Sequence, residues 1–135
     1  MKKEHAKIWF KLVDKIGTTE ENLKAAAAGE HEEWTSMYPE FAKVAREEGF
    51  TRIANLFEMV AKIEQEHDAR YNLLLANIQE DKVFKRNEKM IWMCSNCGHV
   101  YEGTEAPEIC PVCAHPKHSL KLKQTIINSV IKKAS

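Results

Sequence analysis

Four cysteines carry the strongest chemical signal in this chain. Cys94-Ser-Asn-Cys97 and Cys110-Pro-Val-Cys113 are two C-x-x-C pairs with 12 residues between them. Two tight turns of this kind can present four sulfurs to one tetrahedral ion. Gly98 lets the first turn fold back so that backbone amides point at sulfur, and Pro111 stiffens the second. Spacing alone does not separate iron from zinc, so a mononuclear tetrathiolate iron and a structural zinc ribbon share the same four ligands. In either case an ion is needed for so small a lobe to fold.

A second signal lies in acids and a histidine placed where helices should be apolar. Leu23, Ala26, Ala27, Met37, Phe41 and Val44 form one stripe, and Glu30, Glu33 and Trp34 complete it. Ile53, Phe57, Val60, Ile63, Tyr71, Leu74 and Ile78 form another, with Glu64 and His67 in line. A carboxylate buried without a partner costs several kcal/mol, so acids in a stripe call for a proton, a cation or a metal. Glu30-x-x-Glu33 and Glu64-x-x-His67 each place two ligands one helical turn apart, able to grip an ion across a bundle interior. A single hydrogen-bonded core Glu or His is the bland alternative. His31, Glu32, Glu66 and Asp68 fall off the stripes and read as solvated, as do His99, His115 and His118 around the cysteines.

These groups need elements to position them. Apolar residues three and four apart predict two long antiparallel helices, from Thr18 or Thr19 to Gly49 and from Thr51 to Ile78. A threonine caps the first, with Glu20 and Glu21 at its positive end. Residues 2–16 form a shorter helix with His5, Ile8, Trp9, Leu12 and Ile16 on one side. The fold class is therefore mainly α, with a helical domain over 1–80, a linker over 81–89 and a four-cysteine domain over 90–117. Val83-Phe84 and Ile91-Trp92 are candidate strands. The stretch 118–135 is a basic amphipathic tail, with Leu122, Ile126, Ile127, Val130 and Ile131 at helical spacing; it could dock on the helices or lie on a membrane surface. Lys and Arg number 20, as do Asp and Glu, so overall charge predicts no pull toward nucleic acid. No apolar run reaches the ~18 residues of a membrane span, and no signal-peptide core follows Met1. Paired cysteines confined to one segment suit a reducing cytoplasm.

Glu30-His-Glu-Glu33-Trp34, Met37-Tyr38-Pro39, Glu64-Gln-Glu-His67 and the Cys94–Cys113 segment resemble rubrerythrin. The resemblance implies a ferritin-like bundle holding two irons and a rubredoxin-like lobe holding one, in a peroxidase that protects anaerobic or microaerophilic cells from oxidative stress. It makes Glu30, Glu33, Glu64 and His67 di-iron ligands, His5 the histidine of the family's second helix, and Tyr38 a hydrogen-bonding neighbour. One iron would shift between His5 and Glu33 with redox state. It also implies hydrogen peroxide as substrate, a reductase as electron donor, electron transfer through the tetrathiolate iron, and a dimer in which one subunit's lobe serves the other's di-iron site. Besides the tail after Pro116, which is unlike the short aromatic ending expected, two features depart from the family pattern. Its first helix has no counterpart here, and its Glu-x-x-His is replaced by Lys2-Lys3-Glu4-His5. The di-iron site is then expected to be completed by a homodimer pairing two copies of residues 18–80, or by a partner chain supplying helices. An electron carrier using only the tetrathiolate iron and a non-catalytic zinc-binding remnant are the alternatives.

Overall fold

Thr18 starts the main helical segment by the reciprocal bonding its residue type permits. Its hydroxyl accepts the Glu21 N–H at 3.2 Å, and the Glu21 carboxylate accepts the Thr18 N–H at 2.7 Å, satisfying two helix-end donors at once. The computed structural model, which describes residues 2–13 and 16–123, divides into two units between Glu80 and Asp81.

The helical unit begins with α1 (Lys2–Leu12), whose apolar residues Ile8, Trp9, Phe10 and Leu12 are exposed. The rest of the expected 2–16 helix falls partly outside the described residues. The segment expected as one long helix is α2 (Thr19–Glu32), a π-helical turn (Glu33–Met37) and α3 (Tyr38–Glu47). The wide turn has a local cause. Pro39 lacks an N–H, and its ring crowds the carbonyl four residues back, so the ladder opens and the Tyr38 N–H bonds Glu33 O instead. Gly49, at φ +87°, takes the left-handed conformation that stops the segment, and the chain reverses into α4 (Thr51–Gln79). Both α2 and α3 pack against α4. The buried residues of this unit are Ala27, Ala42, Ala45, Ala54 and Asp68, so the helices meet through small side chains. The larger apolar residues Phe41, Val44, Ile53, Ile63 and Leu74 remain exposed.

The second unit is a three-stranded antiparallel sheet of order β2-β1-β3, formed by β1 (Lys85–Cys94), β2 (Val100–Glu105) and β3 (Leu120–Leu122). Trp92 pairs with Tyr101 on one side and Leu122 on the other. Its indole is fully buried and donates to Gly103 O at 3.0 Å. Three expectations change here. Lys85–Lys89, read as linker, belong to β1, which pairs with β2 at Lys85 and again from Met90 onward, with an irregular register between them. Val83 and Phe84 precede the strand instead of forming one. Leu120 and Leu122, assigned to the tail, are part of the sheet, because Leu120 fills the core beside Trp92. Ile126, Ile127, Val130 and Ile131 lie outside the described residues. Among the described residues no helix is long and apolar enough to cross a membrane.

Candidate metal centres

The two cysteine turns are built alike. Cys94 N–H donates to His99 O at 2.9 Å and Gly98 N–H to Cys94 O at 2.9 Å; Cys110 N–H donates to His115 O at 2.8 Å and Ala114 N–H to Cys110 O at 2.9 Å. The residue after each second cysteine takes positive φ, +77° at Gly98 and +56° at Ala114. This geometry turns backbone N–H groups onto sulfur. Those of Cys97 and Asn96 hold the Cys94 thiol below its ordinary range, and that of His115 does the same for Cys113. At Cys97 the His99 N–H favours the thiolate, but the Cys113 sulfur, burial, and the Cys110 and Cys94 sulfurs outweigh it and push the thiol up to about 12. A metal-free cluster thus keeps a proton where a cation would otherwise balance the charge.

The sulfur positions fit a metal. Cys94 Sγ lies 3.7 Å from Cys113 Sγ, and Cys97 Sγ 3.7 Å from Cys110 Sγ. A disulfide would require about 2.0 Å. A tetrahedral ion with metal–sulfur bonds of about 2.3 Å sets sulfurs about 3.8 Å apart. All four sulfurs lie within 4.8 Å of one another. Left-handed backbone at a non-glycine residue carries about 1–2 kcal/mol of strain. Ala114→Gly should therefore stabilise the metal-loaded lobe by up to about 1 kcal/mol, part of the relief being lost to glycine's greater unfolded freedom. A thermal melt of the two proteins at equal metal content checks this.

In the helical unit, one ligand-capable atom each from Glu30, Glu64 and His67 come within 4.8 Å of one another. His67 Nδ1 is 2.6 Å from Glu64 Oε2 and 3.6 Å from Glu30 Oε2. All three side chains are half-buried. Burial, then hydrogen bonding and charge from Glu64, hold the Glu30 carboxyl above its ordinary value, as expected for two acids crowded without a cation. This donor set of two carboxylates and an imidazole suits iron.

The remaining expected residues are placed differently. Glu33 opens the π turn and stands near enough to act electrostatically on Glu30 and Tyr38, but it is not in the close group. Tyr38 is half-buried against Phe57, with ring centroids 6.0 Å apart; burial, then Glu33, Glu64 and Glu30, keep its hydroxyl protonated. His5 is exposed on α1 and is not gathered with the helical donors.

Sequence reasoning missed one group. Asp68, read as solvated, is only 9% exposed. Its Oδ2 accepts the Trp34 indole N–H at 3.0 Å and lies 3.0 Å from His31 Nδ1, while its Oδ1 accepts from Asn72 Nδ2 at 2.5 Å. Trp34, then His31, hold its carboxyl below the ordinary range. The available signal was Asp68 falling in register with two possible donors, His31 and Trp34, on the facing helix.

A family model described as "Rubrerythrin" matches residues 1–75, and one described as "Rubrerythrin, rubredoxin-like domain" matches residues 92–120. The chain belongs to the rubrerythrin family. It is accordingly a non-haem iron protein of the rubrerythrin type, mainly helical, with a rubredoxin-like four-cysteine region. It is 48% identical over 128 residues to the rubrerythrin of Porphyromonas gingivalis, covering 85% of this chain and 64% of that protein. To Rubrerythrin-1 of Clostridium acetobutylicum it is 52% identical over 102 residues, covering 76% of this chain and 52% of that protein. To the rubrerythrin of Nitratidesulfovibrio vulgaris it is 46% identical over 133 residues, covering 89% of this chain and 70% of that protein. The chain thus spans between about half and two-thirds of the length of the first two of these rubrerythrins.

Proposed function

We propose that the protein is a rubrerythrin-type peroxidase that reduces hydrogen peroxide to two waters, consuming two protons and two electrons that a reductase delivers singly through a tetrathiolate iron. The observation that carries this reading is the convergence of Glu30, Glu64 and His67 on the helical unit, in a chain that also holds a four-sulfur site. Cys94, Cys97, Cys110 and Cys113 would hold one iron; Glu30, Glu64 and His67, with Glu33 one helical turn beyond Glu30, would hold the peroxide-reducing irons. Bound iron supplies the electrons and the Lewis acidity. The chain's own groups do the rest. Glu64 and His67, one turn apart on α4, fix each other's orientation through their 2.6 Å contact. Glu30, whose anion burial and Glu64 disfavour, is the carboxylate that an entering cation would stabilise most. Tyr38, kept protonated, retains an O–H to donate toward the carboxylates.

Three donors are half of what a di-iron bundle needs. The face bearing them continues through exposed Phe41, Val44, Ile53, Ile63 and Leu74, a larger apolar run than a lone hairpin ordinarily leaves in water. A second copy of residues 18–80 supplies both the cover and a second Glu, Glu, His set by two-fold symmetry; a partner chain supplying helices is the other occupant. The unbridged cysteine pairs suit a cytoplasmic setting.

The test is protein purified without air, with iron and zinc counted per chain, a visible spectrum, light scattering, and peroxide-dependent oxidation of a reduced donor. The expected result is a red dimer with clearly more than one iron per chain and turnover with peroxide. One red-coloured iron per chain without turnover would instead establish the electron carrier, a reading that the separation of His5 from the helical donors favours. A colourless zinc protein would establish the non-catalytic remnant.

A further inference from the structure

We infer that Asp68 is a positioning residue: it clasps His31 and Trp34 across the α2–α4 contact and thereby sets the register of Glu30 and Glu33 against Glu64 and His67. The inference rests on the helical metal site proposed above. Three features point to it. First, each clasped residue directly follows a donor in sequence, His31 after Glu30, Trp34 after Glu33 and Asp68 after His67. A slip of the clasp would therefore displace the donor row with it. Second, among the described residues of α2 and α4 no large apolar side chain is fully buried. Apart from Asp68, the buried residues of the helical unit are Ala27, Ala42, Ala45 and Ala54, which let helices approach but offer little interdigitation to fix their sliding or rotation. Third, the clasp is fully bonded. Oδ2 meets Trp34 and His31, and Oδ1 is taken by Asn72 Nδ2 from the next turn of α4, which pins the carboxylate's own rotamer. Trp34 lies in the π turn and His31 just before it, so the clasp also holds the place where the helix changes pitch.

The experiment is a cobalt(II) titration of the full, metal-free chain, followed by calorimetry and by absorbance, which separates sulfur-bound from carboxylate-bound cobalt. Asp68→Asn keeps the volume but offers one acceptor atom where the clasp uses two. It should weaken cobalt binding at the helical site about 10–100-fold, the range for residues that orient ligands, with cysteine-site binding and helicity unchanged. His31→Gln, which keeps a donor, should bind more tightly than His31→Leu. A purely structural role would lower the melting temperature of these variants without this ordering of affinities. Wild-type helical-site affinity in Asp68→Asn would overturn the inference. If the wild-type chain binds cobalt only at its cysteines, the proposed function fails, and nuclear magnetic resonance of the metal-free protein decides the present point. Contacts between the Glu30 and His67 side chains lost in Asp68→Asn support the clasp, and contacts retained there refute it.

Discussion

Replacing Cys110 by serine is expected to remove the metal from the four-cysteine site and, with it, the fold of the sheet unit. The buried core of that unit is Trp92, Cys94, Ala106, Cys110 and Leu120, so two of its buried residues belong to the proposed ligand set. Burial alone supplies little, since the partly buried side chains around it are Phe84, Met90, Cys113 and Leu122. In small four-ligand lobes the binding free energy of the ion, about 10–16 kcal/mol in apparent terms, is the folding free energy. Losing one thiolate removes most of that margin. The measurable consequences are loss of the iron chromophore, a red shift of the Trp92 emission as its indole meets water, and loss of the melting transition assigned to residues 81–123. The helical unit should keep its circular dichroism. Lowering the pH should mimic the mutation. The ion requires thiolates, and the proton on Cys97, held up to about 12 without metal, must leave on binding. Affinity therefore falls as protons become more available. A Cys110→Ser protein that retained both a buried Trp92 and a full complement of metal would refute this account.

What could be read in the residues follows from how local the determining physics is. The four-cysteine cluster was legible because its cysteines come in two turns whose internal hydrogen bonds span no more than six residues. The capped start at Thr18, the break at Gly49 and the run of α4 were legible for the same reason. The π turn was not, because helical periodicity assumes a constant pitch; Pro39 was its only mark. Asp68 shows the limit more sharply. One residue beyond His67 is a rotation of about 100°, enough to leave the ligand stripe but not enough to leave the contact with a neighbouring helix. Assignment of residues to a stripe therefore called it solvated. Ile91-Trp92 was legible as strand, but the polar first half of β1 and all of β3 were not, for opposite reasons. Lys85–Lys89 is too polar for hydrophobic alternation to reveal pairing, and Leu120–Leu122 is too short to show a period at all. The resemblance gave His5 a role through a helix whose placement no local rule sets, and its ring stands exposed on α1.

Glu30→Gln should act in opposite directions on the metal-free and metal-loaded protein. Without metal, Glu30 is held above its ordinary range first by burial and then by Glu64. A carboxyl whose folded value is raised favours folding below its unfolded value, and that advantage is lost as pH rises toward the folded value. At neutral pH the crowded pair therefore opposes folding. A neutral amide keeps the shape and one hydrogen bond to Glu64 while removing the repulsion. Metal-free Glu30→Gln should be more stable than wild type by on the order of 1 kcal/mol at pH 7, or roughly 4–8 °C for a unit of 60–100 residues, with a flatter dependence of melting temperature on pH from acid to neutral. With iron present the order reverses. An amide is a poor ligand, and the loss of helical-site affinity should at least match the ~10–100-fold caused by disturbing residues that merely orient ligands. Calorimetry of both proteins with and without metal measures the crossing directly. If Glu30→Gln proves less stable without metal as well, the carboxylates are held together by favourable hydrogen bonding rather than kept apart for want of a cation. Their convergence with His67 would then no longer argue for a metal site.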